Sequence, residues 1–155
     1  MTTLLKTFRV IAFTLWIGGL AFFAFAVAPA AFHILPTPDL AASIIRATLH
    51  SIHIIGLIAA AVIILTTLLL SYRRTAVNII ALAAAMSLIT AYSQFCLVPR
   101  MQQLRAQAGE ISPTVPCANA DCTQFMRLHK RSEHMEGLVL LGGVALAALL
   151  SRHDA

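Results

Sequence analysis

Residues 54–92 read IIGLIAAAVIILTTLLLSYRRTAVNIIALAAAMSLITAY. Two apolar runs without an acidic residue flank one polar knot, Tyr72-Arg73-Arg74-Thr75. With the residues on their outer sides, each run exceeds the roughly 20 residues an α-helix needs to cross about 30 Å of hydrocarbon. Hydrocarbon offers no water to a free backbone N–H or C=O, so each run predicts a membrane helix. The knot is too short for anything but a tight turn. A helical hairpin follows, with helices over about 40–71 and 75–107.

Working outward, Pro36-Thr37-Pro38-Asp39 separates this hairpin from an apolar run that predicts a first helix over about 4–35. On the other side, AGEISPTVPCANADC (108–122) carries glycine, two prolines and mixed polar groups and reads as a loop. A last helix is expected over about 123–151. The whole is an all-α, integral membrane four-helix bundle, residues 1–155 forming a single transmembrane domain. Composition agrees: 59% of residues are hydrophobic and 11% charged, against about 25% charged in soluble domains. The start of the chain imitates a signal peptide, with Lys6 and Arg9 before an apolar stretch, but that stretch is too long for one and reads as a retained helix. Pro29 and Pro99 fall inside helices and predict kinks.

The net charge of +5 does not point to nucleic acid, because the cations flank the spans, where lipid headgroups and topology account for them. The bilayer itself is the expected partner. Arg73-Arg74 occupies the shortest loop and weighs most under the positive-inside rule, which places both termini in the cytoplasm. Cys117 and Cys122 then face an oxidising compartment, and a local disulfide between them is a candidate. Gly18-Gly19 and Gly142-Gly143 predict thin places where helices approach closely.

An internal echo runs through the chain. Arg46-x4-Ser51-x-His53-x2-Gly56-Leu57 matches Arg127-x4-Ser132-x-His134-x2-Gly137-Leu138, and Phe25-x3-Pro29 matches Phe95-x3-Pro99. The pattern is compatible with two repeated helical hairpins related by an axis along the membrane normal.

The chemistry concentrates at the end of the bundle away from the termini. His33, His50, His53, His129 and His134 all fall there. At 1.5 Å per residue, Glu136 lies about 22 Å from Ser151, inside a layer about 30 Å thick. A carboxylate at that depth needs a partner, a proton or a metal. By the 3.6-residue period, His129, Ser132, Glu133 and Glu136 share a face, as do Arg46, His50 and His53 on the second helix. Ser87, Thr90, Gln94, Met101 and Arg105 offer a matching stripe on the third. A polar cavity between three helices is expected, open to the outer side.

Imidazole and carboxylate at these spacings are how helix bundles assemble metal sites. His50, His53, His129, Glu133 and Glu136 are the candidate ligands, supported by Ser132, Arg105, Gln94 and Arg46. Imidazole suits copper and zinc, and Met101, Met126 and Met135 lean towards copper. The corresponding function is binding or transport of a transition metal. Two other readings stand beside it. A non-covalent haem b, held by His50 or His53 with His129, would make a membrane redox protein. Alternatively, ion pairs joining Glu133 or Glu136 to Arg46, Arg105 or Arg131 would make the cluster structural. Four helices are few for an independent pathway, which favours a homodimer.

Several motifs carry a family resemblance. Trp16-Ile17-Gly18-Gly19, Phe22-Phe23 and Val27-Ala28-Pro29-x2-Phe32 stand in the first helix. Pro99-Arg100-Met101-x2-Leu104-Arg105 ends the third, and Phe125-x2-Leu128-His129-x2-Ser132 opens the fourth. With these motifs the chain resembles the bacterial membrane family of domain of unknown function 4149, related to transmembrane protein 205. The resemblance implies a compact four-helix protein of the bacterial inner membrane, with Pro29, Pro99, Arg105, His129 and Ser132 as signature positions. It also implies asparagine four residues after that serine, where this chain has Glu136.

Overall fold

The computed structural model describes residues 2–70, 74–108, 117 and 119–154. Among the described residues, four helices are long and apolar enough to cross a membrane: α1 (Thr2–Ile34), α2 (Pro38–Leu70), α3 (Arg74–Gln107) and α4 (Ala120–His153). Among the described residues there is no strand. The Tyr72-Arg73 part of the turn and most of the 108–122 loop lie outside the described residues. Each helix is about 50 Å long, longer than the hydrocarbon layer, so the polar ends of α3 and α4 extend beyond it.

Two helix starts come earlier than hydropathy indicates, and each has a capping residue. Thr37 Oγ1 accepts the Leu40 N–H at 3.3 Å, with Pro38 as first helical residue and Asp39 beside it. Asn119 Oδ1 likewise accepts the Cys122 N–H at 2.8 Å and starts α4 at Ala120.

The helices pack in chain order, α1 on α2, α2 on α3 and α3 on α4. Their shared core is built from Ala12, Trp16, Leu20, Ala59, Ala60, Ile63, Ile79, Ala83, Met86, Val139 and Leu146. Larger residues such as Phe22, Phe25, Leu88, Leu141 and Val144 face outward. Lipid solvates those side chains as well as a protein core would, so close packing of small residues, not exclusion of apolar ones, holds such a bundle together. Trp16, the single tryptophan, is 1% exposed and packs against Gly56 of α2. A Cβ at Gly56 would fall 2.6 Å from its Cδ1 and Nε1 atoms. Gly142 faces Met86 and Gly143 faces Ile17 in the same close manner, as expected of a thin place. Gly18 has only Thr14 of its own helix nearby, and Gly19 has nothing within 4 Å, so the first pair has no such role.

α1 and α4 approach differently at their two ends. At the end holding the termini, the wholly buried Arg9 donates to Thr67 Oγ1 of α2 at 3.3 Å and to His153 Nδ1 of α4 at 3.4 Å. Nearer the middle of the bundle, Ile17 of α1 lies against Gly143 of α4. Towards the loop end the two helices part around a shallow apolar groove of about 550 Å³, lined by Phe25, Glu133, His134, Gly137, Leu138 and Leu141 among others.

Among the described residues, three π-helical segments interrupt the α-helical ladder, at Thr14–Gly18, Phe23–Val27 and Ser93–Leu97. The last two precede Pro29 and Pro99. Proline lacks an N–H and its ring crowds the carbonyl of the residue four earlier, here Phe25 and Phe95. The backbone responds identically in both places, with Ala28 N–H reaching back to Phe23 O and Val98 N–H to Ser93 O. The Phe-x3-Pro echo thus marks equivalent structure in α1 and α3. The echo between α2 and α4 does not. His53 is buried and Gly56 carries Trp16, whereas His134 is exposed and Gly137 has nothing within 4 Å. The matched letters lie on different faces, so for this pair the expectation of repeated hairpins is corrected.

Candidate functional site

The inward faces of α2, α3 and α4 bring one polar network together near the loop end. On α2, the buried stripe through His53, Gly56, Ala60, Ile63 and Thr67 places His53 inside at 1% exposure. On α3, Thr90, Ser93, Gln94 and Leu97 are all buried. The π-segment that answers Pro99 runs through Ser93 and Gln94, and both of these adjacent polar residues face the interior. On α4, Glu136 stands at the edge of the stripe formed by Ser132, Val139, Leu146 and Leu150.

His53 Nε2 lies 2.8 Å from Glu136 Oε1, and the two atoms share a proton. Ser93 Oγ donates to the same carboxyl oxygen at 3.3 Å. On the other side of the ring, His53 Nδ1 donates to Gln94 Oε1 at 2.9 Å. Gln94 Nε2 in turn donates to His50 Nδ1 at 2.7 Å, and His50 is exposed. A continuous chain Glu136–His53–Gln94–His50 thus joins α4, α2 and α3 and ends at the surface. Glu136 Oε2 is buried without a hydrogen-bond partner. Measured along the helices, Glu136 is about 22 Å from Ser151 and His53 about 26 Å from Leu70, which puts the pair inside the hydrocarbon layer but near its loop-end boundary.

Of the five residues expected as metal ligands, the structure joins three: His50, His53 and Glu136. His129 and Glu133 pair with each other instead, at 3.2 Å and with side chains 48% and 63% exposed. His129 also stacks on Phe125. The inward stripe of α4 is centred on Ser132, Val139 and Leu146, and Glu133 lies roughly 100° from it. The four-residue face inferred for α4 is corrected accordingly. Among the described residues no group of three His, Cys, Asp or Glu side chains is placed to hold a metal.

The supporting residues divide similarly. Gln94 belongs to the network, and Ser132 is buried one turn from Glu136. Arg105 leaves the cluster to pair with Asp39, tying the loop end of α3 to the start of α2. Arg46 is half-buried on α2, outside the network. Arg131 lies over the Tyr92 ring, 5.7 Å from its centroid. Glu136 is therefore answered by a histidine and not by an arginine. Cys117 and Cys122 are bonded, with Cα atoms 5.4 Å apart.

Sequence reading missed Ser93 and the Arg9–Thr67–His153 cluster. Ser93 was legible only as a polar neighbour of Gln94. Arg9 sits close to the start of α1, where a headgroup role is the natural reading, and one of its partners, His153, lies at the opposite end of the chain.

No curated protein and no solved structure shows significant similarity to the chain. The profile of one family, described as "Domain of unknown function (DUF4149)", matches residues 11–110. That match spans most of α1 and all of α2 and α3, with His50, His53 and Gln94, and ends before Glu136. It covers more than half the chain and includes the Trp16-Ile17-Gly18-Gly19 and Pro99-Arg100-Met101 motifs: the chain belongs to the DUF4149 family.

Proposed function

We propose that this integral membrane protein binds and releases a proton at the Glu136–His53 pair, as the ion-handling core of a small membrane carrier. The observation that carries the reading is the environment of Glu136. Its carboxyl group is held within the apolar layer, one oxygen bonded to His53 and Ser93, the other buried and unpartnered. An ionisable side chain at that depth is costly and marks an ion or proton site by default. A buried oxygen without a donor leaves a place for a proton or a ligand's N–H or O–H.

A copper, zinc or haem iron at His53 would have to displace one of two formed hydrogen bonds, since both ring nitrogens are engaged. The disulfide end of the bundle is taken as the outer side and both termini as cytoplasmic, in keeping with the positive-inside rule. Proton exchange at the pair then occurs with the outer compartment.

The test is proton uptake by the protein in liposomes, followed with a pH-sensitive dye, together with the infrared carboxyl band. Glu136→Gln keeps the size and hydrogen bonding of the side chain but cannot take the proton. We expect it to abolish one carboxyl band and its pH response. An unchanged carboxyl spectrum and unchanged uptake in that variant would sink the proposal. Stoichiometric copper, zinc or haem in the wild type, lost in His53→Ala, would put a metal in its place.

A further inference from the structure

We infer that His50 is a second proton-binding site, at the loop-end surface, and that Gln94 couples it to the Glu136–His53 pair so that the two sites exchange one proton. The inference rests on the proton-binding reading of Glu136 and adds the route by which that proton is exchanged.

Gln94 stands between two imidazole nitrogens. One arm of its amide faces His53 Nδ1 at 2.9 Å and the other faces His50 Nδ1 at 2.7 Å. A carbonyl oxygen only accepts and an amide nitrogen only donates. Of the two Nδ1 atoms, therefore, the one facing the oxygen carries a proton and the one facing nitrogen does not. In the structure the oxygen faces His53. His53 Nδ1 is protonated, His50 Nδ1 is bare, and a further proton lies between His53 Nε2 and Glu136. The buried pair is then neutral overall, whether written as imidazolium with carboxylate or as imidazole with carboxylic acid. His50 is a neutral imidazole carrying its proton on Nε2.

A half-turn of the amide reverses the assignment. Nitrogen now donates to His53 Nδ1, which has given up its proton, and the pair is left as neutral imidazole with carboxylate, one negative charge. The oxygen now accepts from His50 Nδ1, which has gained a proton and is an imidazolium. One proton fewer sits on the pair and one more on His50; the half-turn matches the amide to that distribution and carries no proton itself, and the total is unchanged. Both Nδ1 atoms protonated would set a donor against the amide nitrogen, and both bare would leave an acceptor against the oxygen. Either mismatch breaks a hydrogen bond next to the buried His53.

The titratable groups nearest along the same helices are Arg46 on α2 and the His129–Glu133 pair on α4. On α4, Glu136 bonds His53; on α3, Ser93 and Gln94 are neutral; on α1, the buried residues at this level, Leu20 and Phe23, carry no charge; on α2, Arg46 lies one turn from His50. The coupling is a matter of donor and acceptor count at one amide.

The experiment is nitrogen NMR of histidine-labelled full-length protein in lipid nanodiscs, titrated between about pH 5 and 8, the interval in which imidazoles change charge. In the wild type the protonated fractions of His50 Nδ1 and His53 Nδ1 should add to one proton at each pH, because the exchange leaves the total unchanged. In Gln94→Met, a similar volume without donor or acceptor, the two fractions should no longer add to one. A sum that departs from one in the wild type, with both Nδ1 atoms protonated or both bare, overturns the coupling. If Gln94→Met does not fold, the wild-type titration alone decides. Loss of coupling with a normal Glu136 carboxyl response would leave the proton site standing. Absence of that response would remove the site itself.

Discussion

Gly56 and Gly137 occupy the same place in the sequence echo His-x2-Gly-Leu, yet alanine should act on them with opposite sign. At Gly56 the new Cβ would lie 2.6 Å from Trp16 Cδ1 and Nε1. An ordinary carbon contact is about 3.5–4.0 Å, so the ring or the helix must move by about 1 Å. The indole is rigid, 1% exposed and surrounded by core, so it has no free side to retreat to. Overpacking of this kind costs about 1–3 kcal/mol, against at most about 1 kcal/mol gained from alanine's better helix propensity. The net is a loss of about 1–2 kcal/mol. For a chain of this size that lowers Tm by roughly 3–6 °C. At Gly137 nothing lies within 4 Å, and the propensity term alone should raise Tm by a few degrees. Trp16 is the only tryptophan, so its fluorescence in detergent-solubilised protein reads both the unfolding and the displaced ring. Gly56→Ala should also shift the folded-state emission, and Gly137→Ala should not. Equal shifts in Tm for the two variants, or a more stable Gly56→Ala, would refute the packing argument.

Three further outcomes follow from other contacts. Arg9→Ala removes a wholly buried guanidinium and strips its donors from Thr67 and His153, so it should cost about 1–3 kcal/mol in the same unfolding assay; Arg9→Met, which restores volume, should recover part of that. Asp39→Asn breaks an ion pair whose carboxylate is 68% exposed and should change stability by less than about 1 kcal/mol, with any effect vanishing in high salt. Cys117 and Cys122, if oxidised as the structure has them, should resist a membrane-impermeant maleimide on intact cells until a reductant is added. Labelling without reductant would argue against the bond, and no labelling after reduction would reverse the assigned orientation.

The four spans were legible because hydrocarbon punishes an unbonded backbone, and Pro38–Leu70 answers that constraint with little freedom left. Their starts were less so: Thr37 and Asn119 act through single side-chain hydrogen bonds that hydropathy does not register. Helical periodicity put His53, Gln94 and Glu136 on the right faces but could not centre those faces on the neighbouring helices. For α4 an error of about 60° in that centre is enough to bring His129 and Glu133 inward on paper while they pair in the open. Ser93 became part of the site through the π-segment before Pro99, where both it and Gln94 turn inward. Proline was visible in the sequence; the backbone's response to it was not. The repeated letters of α2 and α4 misled for a related reason, since identical residues at one spacing say nothing about which side of a helix meets a partner.

The position of Glu136 also sets how strongly the membrane voltage acts on it. Lying about 22 Å along a path of about 30 Å, it is separated from the loop-end solution by roughly a quarter of the dielectric. A proton arriving from that side therefore crosses only about a quarter of the potential, worth about 0.6 kcal/mol per 100 mV. The other three quarters falls across the layer of Trp16, Ile63, Ala83, Val139 and Leu146, which is packed shut. In this conformation protonation of the pair should report the pH of one compartment and respond weakly to voltage. The bulk of any electrical work would appear only in a rearrangement that opens the apolar layer towards Arg9.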